Sequence, residues 1–153
     1  MSDYQDDLAT RGLDAFAPYL MNRIMRRYNQ TLLLRMADYD LSAPKMRALA
    51  SLAVRDGLTV NELAVYSMAE QPTMSRTLDQ LERDGLITRT VSETDSRVRH
   101  CSLTGEGREM YRLTWPEMDA AERAMFDGIS NEDRTHLLST LGRMLDNIKQ
   151  NDF

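Results

Sequence analysis

The residues best equipped for chemistry lie in two short stretches. The first runs from near Pro72 to Gly85 and has a helical period. With Met74 at the centre of its apolar face and about 100° of rotation per residue, Leu78 and Leu81 fall beside Met74. Pro72, Arg76, Asp79 and Arg83 fall opposite, flanked by Thr73 and Gln80, and Ser75 adjoins Arg76. The outward side therefore offers hydroxyl, guanidinium and amide groups in its leading turns. A DNA major groove admits one helix and rewards these groups. Arginine grips guanine O6 and N7, glutamine pairs with adenine, and a threonine methyl meets the thymine methyl. The start of such a helix also presents free N–H groups suited to a phosphate. A plain solvated face would carry similar residues, so this stretch does not decide the matter alone.

The second stretch is Asp95-Ser96-Arg97, with Arg99 two residues on. An arginine on a protruding loop can enter a minor groove, where the potential is most negative. A nearby carboxylate can hold the guanidinium in orientation through a bidentate pair. Helix in the major groove and loop in the minor groove make a coherent pair. The candidate DNA-binding residues are thus Pro72, Thr73, Ser75, Arg76, Gln80, Asp95, Arg97 and Arg99.

Other chemistries find little support. There is no Gly-rich phosphate loop and no nucleophile motif, so no catalytic residue and no cofactor is expected. The one cysteine, Cys101, cannot form an internal disulfide, and His100 and His136 lack ligand-like spacing, so no metal site is expected. No apolar run approaches the ~18 residues that span a bilayer. The acidic start, Met1-Ser2-Asp3-Tyr4-Gln5-Asp6-Asp7, is unlike a secretory signal, which points to a cytoplasmic protein with no membrane partner.

The net charge of -5 argues against a non-specific nucleic-acid coat. From Gln71 to Thr104 the arginines are 76, 83, 89, 97 and 99, and the acids are 79, 82, 84, 93 and 95. That stretch is neutral, so a DNA reader must sort its arginines spatially.

The elements that would position these residues are mainly helical. A first long helix is expected over Leu13–Ala37, with Phe16, Leu20, Ile24 and Tyr28 on one stripe. Pro18 sits near its start, where a missing N–H does least harm. A second helix opens at Ser42, with Pro44 in its first turn, and stops at Asp56-Gly57. Thr59-Val60-Asn61-Glu62 is a capping box for a third. After the Pro72–Gly85 helix, Leu86–Val91 and Val98–Leu103 form one strand pair around a polar tip. A further helix covers Gly105–Asp127, with a bend expected at Pro116. The last opens at Ser130, with Asp133 completing a weak capping box. Along it Leu137, Leu141, Met144 and Ile148 recur at 4-3-4 spacing, a coiled-coil-like seam. No single chain offers the terminal helices a partner of equal length, so they are expected to pair two copies.

In these features the sequence resembles the MarR/SlyA family of bacterial transcription regulators. The run Glu70-Gln71-Pro72-Thr73-Met74-Ser75-Arg76-Thr77-Leu78-Asp79-Gln80-Leu81-Glu82-Arg83-Asp84-Gly85-Leu86-Ile87-Thr88-Arg89 is similar to the family's recognition helix and first wing strand. Asp95-Ser96-Arg97 matches its wing Asp-x-Arg, and Leu103-Thr104-Gly105-Glu106-Gly107 matches its Leu-Thr-x-x-Gly. The resemblance implies a single domain over 1–153: a winged helix-turn-helix lobe at 42–104, with dimerisation helices at 10–37 and 105–150. It implies a mainly α fold with a small β-hairpin wing and a homodimer on a pseudo-palindromic operator in double-stranded DNA, usually repressing transcription. It places Pro72, Thr73 and Arg76 at base- and phosphate-contacting positions, Arg97 as the wing arginine and Asp95 as its orienting partner. Many members release DNA on binding a small phenolic or aromatic carboxylate effector.

Three other readings remain open. Tyr19, Arg23, Arg26, Arg27 and Tyr28 are read first as interface and surface residues, and second as the lining of a pocket for an anionic aromatic. Cys101 is read as a buried structural thiol, with a cysteine-based redox sensor as the alternative. A dimeric protein-interaction module without DNA binding is the last.

Overall fold

Four hydroxyl side chains start the helices that shape this molecule. In the computed structural model, which describes residues 7–151, Ser42 accepts the Lys45 N–H and opens α3 (Ala43–Val54). Thr59 accepts the Glu62 N–H and opens α4 (Val60–Tyr66). Thr104 does the same from Gly107 for α6 (Gly105–Met125), and Ser130 from Asp133 for α7 (Asn131–Ile148). Each satisfies one N–H that a helix start leaves without an intrahelical partner. At Thr59 the box is complete, because the Glu62 carboxylate accepts the Thr59 N–H at 2.7 Å. At Ser130 it is half made: the Asp133 carboxylate accepts from the serine hydroxyl.

The expected Leu13–Ala37 helix is corrected at its ends: it runs only from Ala17 to Arg35, and a separate short helix precedes it. A short α1 (Leu8–Arg11) stops at Gly12, which adopts φ 81°, a conformation glycine takes without strain. A 3-10 turn over Leu13–Ala15 and an extended Phe16 follow, and only then does α2 (Ala17–Arg35) begin, with Pro18 in its first turn. A second 3-10 turn, Ala37–Tyr39, leads to α3.

The expected strand pair is also corrected: the sheet has three strands. β2 (Ile87–Val91) and β3 (Arg99–Leu103) pair antiparallel, with Ile87 opposite Leu103 and Arg89 opposite Cys101. A two-residue β1 (Leu58–Thr59) adds to the other side of β3, with Leu58 opposite Cys101. The order is β1-β3-β2. Two residues carry no detectable alternation, which is why β1 escaped the sequence.

The lobe packs around α5 (Gln71–Arg83). Met74, Leu78 and Leu81 are fully buried with Leu49, Leu52, Leu63, Ile87 and Cys101. Each large apolar side chain so buried contributes roughly 1.5–3 kcal/mol. A second, smaller cluster joins Leu32, Met36, Met46 and Ala121 where α2, α3 and α6 meet. The α6 helix is continuous through Pro116.

The terminal helices are different. No residue of α7 is buried, and Leu137, Leu138, Leu145 and Ile148 stand 44 to 76% exposed. Leu20, Ile24, Leu33 and Leu34 of α2 are exposed too. No helix among the described residues is long and apolar enough to cross a membrane.

Candidate nucleic-acid interface

The first requirement of a reader helix is an outward face that packing leaves free. In α5 the buried side is Met74, Thr77, Leu78 and Leu81. Pro72, Ser75, Arg76, Asp79, Gln80 and Arg83 are exposed, and Thr73 is half-buried. The buried side also takes in Thr77, which the sequence reading had not assigned to either face. Its hydroxyl turns back to donate to the Thr73 carbonyl at 2.8 Å, which lets a polar residue sit in the core. Arg76 Nε donates to the Pro72 carbonyl at 3.2 Å, so the guanidinium is drawn toward the leading turn of the helix.

The wing presents the second group. Asp95 holds Arg97 with a fork: Nε to Oδ1 at 3.2 Å and Nη2 to Oδ2 at 3.2 Å. The Arg97 N–H also donates to Oδ1, at 3.0 Å. Those Arg97 hydrogen bonds hold the Asp95 carboxyl below its ordinary pKa, so it stays ionised. The Arg97 side chain is nevertheless 89% exposed. Its orientation is fixed while most of its surface faces outward. Arg99, on β3, is exposed as well. A groove of about 220 Å³ runs between the wing and the start of α4, lined by Thr59, Asn61, Arg97 and Arg99 among others.

The neutral charge count resolves spatially. Arg89, on β2, pairs with both Asp79 and Glu82 of α5, and Lys45 of α3 pairs with Asp84. Asp95 is taken by Arg97. Among the described residues, no ion pair engages Arg76, Arg83 or Arg99. Four of the five acids are thus matched within the fold, and three arginines are left over on the outer side.

One motif is explained by close packing. The Thr104 hydroxyl accepts from Gly107 N–H and donates to the Gly85 carbonyl at 2.6 Å. A Cβ on Gly107 would lie 1.9 Å from the Leu86 carbonyl oxygen. Leu-Thr-x-x-Gly therefore pins α6 against the junction between α5 and the wing.

These features find matches among known proteins. A family model described as MarR family matches residues 41–98. The HTH-type transcriptional regulator PecS of Dickeya dadantii is 30% identical over 125 residues, covering 82% of this chain and 73% of PecS. A crystal structure of a MarR-family transcriptional regulator from Silicibacter pomeroyi shares 44% identity over 97% of this chain and all of that one, at a TM-score of 0.91. This chain belongs to the MarR family. The transcriptional activatory protein BadR of Rhodopseudomonas palustris is 32% identical over 69% of this chain, which spans 61% of BadR's length. Staphylococcus aureus MepR, solved in complex with DNA, shares 27% identity at a TM-score of 0.73 and covers 86% of this chain and 97% of that one.

Within this MarR-family chain the other sequence candidates separate. Arg23, Arg27 and Tyr28 line a groove of about 450 Å³ between α2 and α6, with Ile24, Thr31 and Met125. The sequence had favoured an interface and surface role for them. Tyr19 instead accepts a hydrogen bond from Arg23 at 3.2 Å, and Arg26 does not reach the groove. Burial is the main influence raising the Tyr28 phenol's pKa, so it remains a hydroxyl. Cys101 is fully buried, and burial pushes its thiol up to about 11. A redox sensor needs an accessible thiolate, and this thiol is neither.

Proposed function

We propose that this MarR-family regulator is a cytoplasmic protein without catalytic activity that binds a pseudo-palindromic operator as a homodimer. In this reading α5 enters the major groove and the wing enters the adjacent minor groove. Arg76, with Pro72, Thr73, Ser75 and Gln80, meets base edges and phosphates in the leading turns. Arg97 supplies the minor-groove charge, oriented by Asp95, and Arg99 adds to it. The observation that carries this reading is the Asp95 fork beneath an Arg97 side chain left 89% exposed. A surface arginine with only a structural role would gain nothing from being both fixed and presented.

The test is selection of duplexes from a randomised pool by the wild-type protein, followed by fluorescence anisotropy on the enriched sequence. Arg76→Ala should cost roughly 1–3 kcal/mol on that duplex and relax its base preference. Equal losses on enriched and scrambled duplexes would rule out a base-reading role for Arg76.

The groove between α2 and α6 supports a small-molecule effector with an anionic aromatic group. Arg23 and Arg27 would pair the carboxylate, and Ile24, Tyr28 and Met125 would cover the ring. A thermal-shift screen of aromatic carboxylates checks it, because a ligand selective for the native state raises its stability. No shift with any member, or equal shifts in the Arg23→Ala/Arg27→Ala protein, would remove the groove from the effector reading.

A further inference from the structure

The outward face of α5 contains an anomaly for a DNA reader. Asp79 lies one helical turn beyond Arg76 on the outward stripe, and Glu82 follows it by three residues. Both are acceptor-only groups, with side chains 51% and 40% exposed. Left free, the two carboxylates would add negative charge to the helix that carries Arg76.

The structure answers them with one residue. Arg89 Nη2 donates to Asp79 Oδ1 at 2.7 Å, and Nε donates to Glu82 Oε2 at 3.0 Å. A second bond, from Nη2, also reaches Glu82. Arg89 comes from β2, where it stands opposite Cys101, so the two side chains share a face of the sheet. Only 15% of the Arg89 side chain is exposed. It is therefore poorly placed to touch DNA itself. Its planar fork bridges two carboxylates at once, which the compact ammonium of a lysine does less well. Glu82 is held below the ordinary carboxylate range, chiefly by the Arg89 hydrogen bond, so its negative charge persists and needs its partner.

We propose that Arg89 is a positioning residue for DNA binding: it ties the recognition helix to the first wing strand and neutralises two carboxylates on the helix that carries Arg76. The proposal rests on the DNA-binding reading above. Arg89 sets the angle between the two elements that must enter neighbouring grooves together. It also explains how a locally neutral stretch can present a positive face.

The test compares the wild-type protein with Arg89→Ala, Arg89→Lys, the pair Asp79→Asn/Glu82→Gln, and the triple Arg89→Ala/Asp79→Asn/Glu82→Gln. Each is titrated onto the duplex enriched by the wild-type protein and onto a scrambled duplex, across a salt series, with thermal melting recorded. Arg89→Ala should weaken binding about tenfold at low salt. The deficit should shrink as salt screens the exposed carboxylates. The triple variant should recover most of the low-salt affinity, while its preference for the enriched duplex stays reduced several-fold, because the tie to the wing is still missing. Arg89→Lys should fall between wild type and Arg89→Ala. Should Arg89→Ala fail to fold, the amide pair carries the test: it should bind scrambled DNA more tightly and discriminate less. A loss in Arg89→Ala that the amides leave untouched would overturn neutralisation, and unchanged discrimination in the amide pair would overturn positioning. Failure of the wild-type protein to enrich any duplex would defeat the DNA-binding reading itself, and this proposal with it.

Discussion

At the scale of single residues, the wing shows how a carboxylate can help an arginine bind an anion. Asp95 subtracts charge from the face, yet it holds Arg97 in one orientation, so less side-chain freedom is lost on binding. Removing each partner should therefore have a different signature. Arg97→Ala should lower affinity most at low salt, since it deletes a charge; unchanged affinity at low salt would dismiss the wing arginine. Asp95→Asn keeps that charge and loses part of the fork, so its effect should be smaller and should lie more in orientation than in salt dependence. Cys101 makes a separate prediction. Its folded-state thiol is raised to about 11, while the unfolded thiol ionises nearer its ordinary value. Protons are then bound more tightly in the folded chain. The thiol's contribution is fully present below the unfolded pKa and is lost as pH rises toward 11. Native protein at neutral pH should resist a thiol reagent such as 5,5′-dithiobis(2-nitrobenzoic acid) and react fully in urea. Rapid native labelling would reopen the redox reading.

At the scale of elements, the joint between α5, the wing and α6 is the least tolerant part of the lobe. Gly107 sits where any Cβ would meet the Leu86 carbonyl oxygen at 1.9 Å. Backbone cannot swing aside as a side chain can. Gly107→Ala should therefore destabilise by at least about 1–3 kcal/mol, the usual range for overpacking, readable as a lowered urea midpoint. Thr59→Ala, which removes a cap but adds no clash, should cost only about 1 kcal/mol. A Gly107→Ala protein as stable as wild type would show that α6 can shift freely away from the Leu86 backbone. Much of this level was legible in the sequence, because caps, helical stripes and turn glycines are local signals. Ser42, Thr59 and Ser130 announce their helices, and Met74, Leu78 and Leu81 announce the buried side of α5. Other features were not local. The β1 strand is defined by its partner on β3 rather than by its own two residues. The extended Phe16 delays the start of α2 to Ala17, although Phe16 shares the spacing of the apolar stripe that follows it. Arg89 looked like one more basic residue in a neutral stretch, because its partners lie on a different element.

For the whole molecule, the decisive feature is what one chain leaves uncovered. Leu137 and Ile148 of the α7 seam stand 44% and 76% exposed, and α2 exposes Leu20, Ile24, Leu33 and Leu34. Isolated exposed leucines need no explanation, but rows of them along two helices at the chain ends do. The seam spacing of Leu137, Leu141, Met144 and Ile148 suits helix-to-helix packing between copies. Two copies matter energetically because the candidate interface has few charges to spend. Once Arg89 and Lys45 are committed inside the fold, each lobe keeps only a handful of outward arginines. A single lobe should then bind weakly. Linking two lobes makes the second contact intramolecular and can raise overall affinity by roughly 10²–10⁴ without any new contact. Leu137→Glu/Leu141→Glu places charges in the seam and leaves α5 and the wing untouched. Light scattering should show this variant shifting toward monomer, with a melting temperature less dependent on protein concentration. Its affinity for the enriched duplex should fall by more than any single arginine substitution causes. If the variant were monomeric and still bound with wild-type affinity, each lobe would suffice alone and the pairing of half-sites would have to be abandoned.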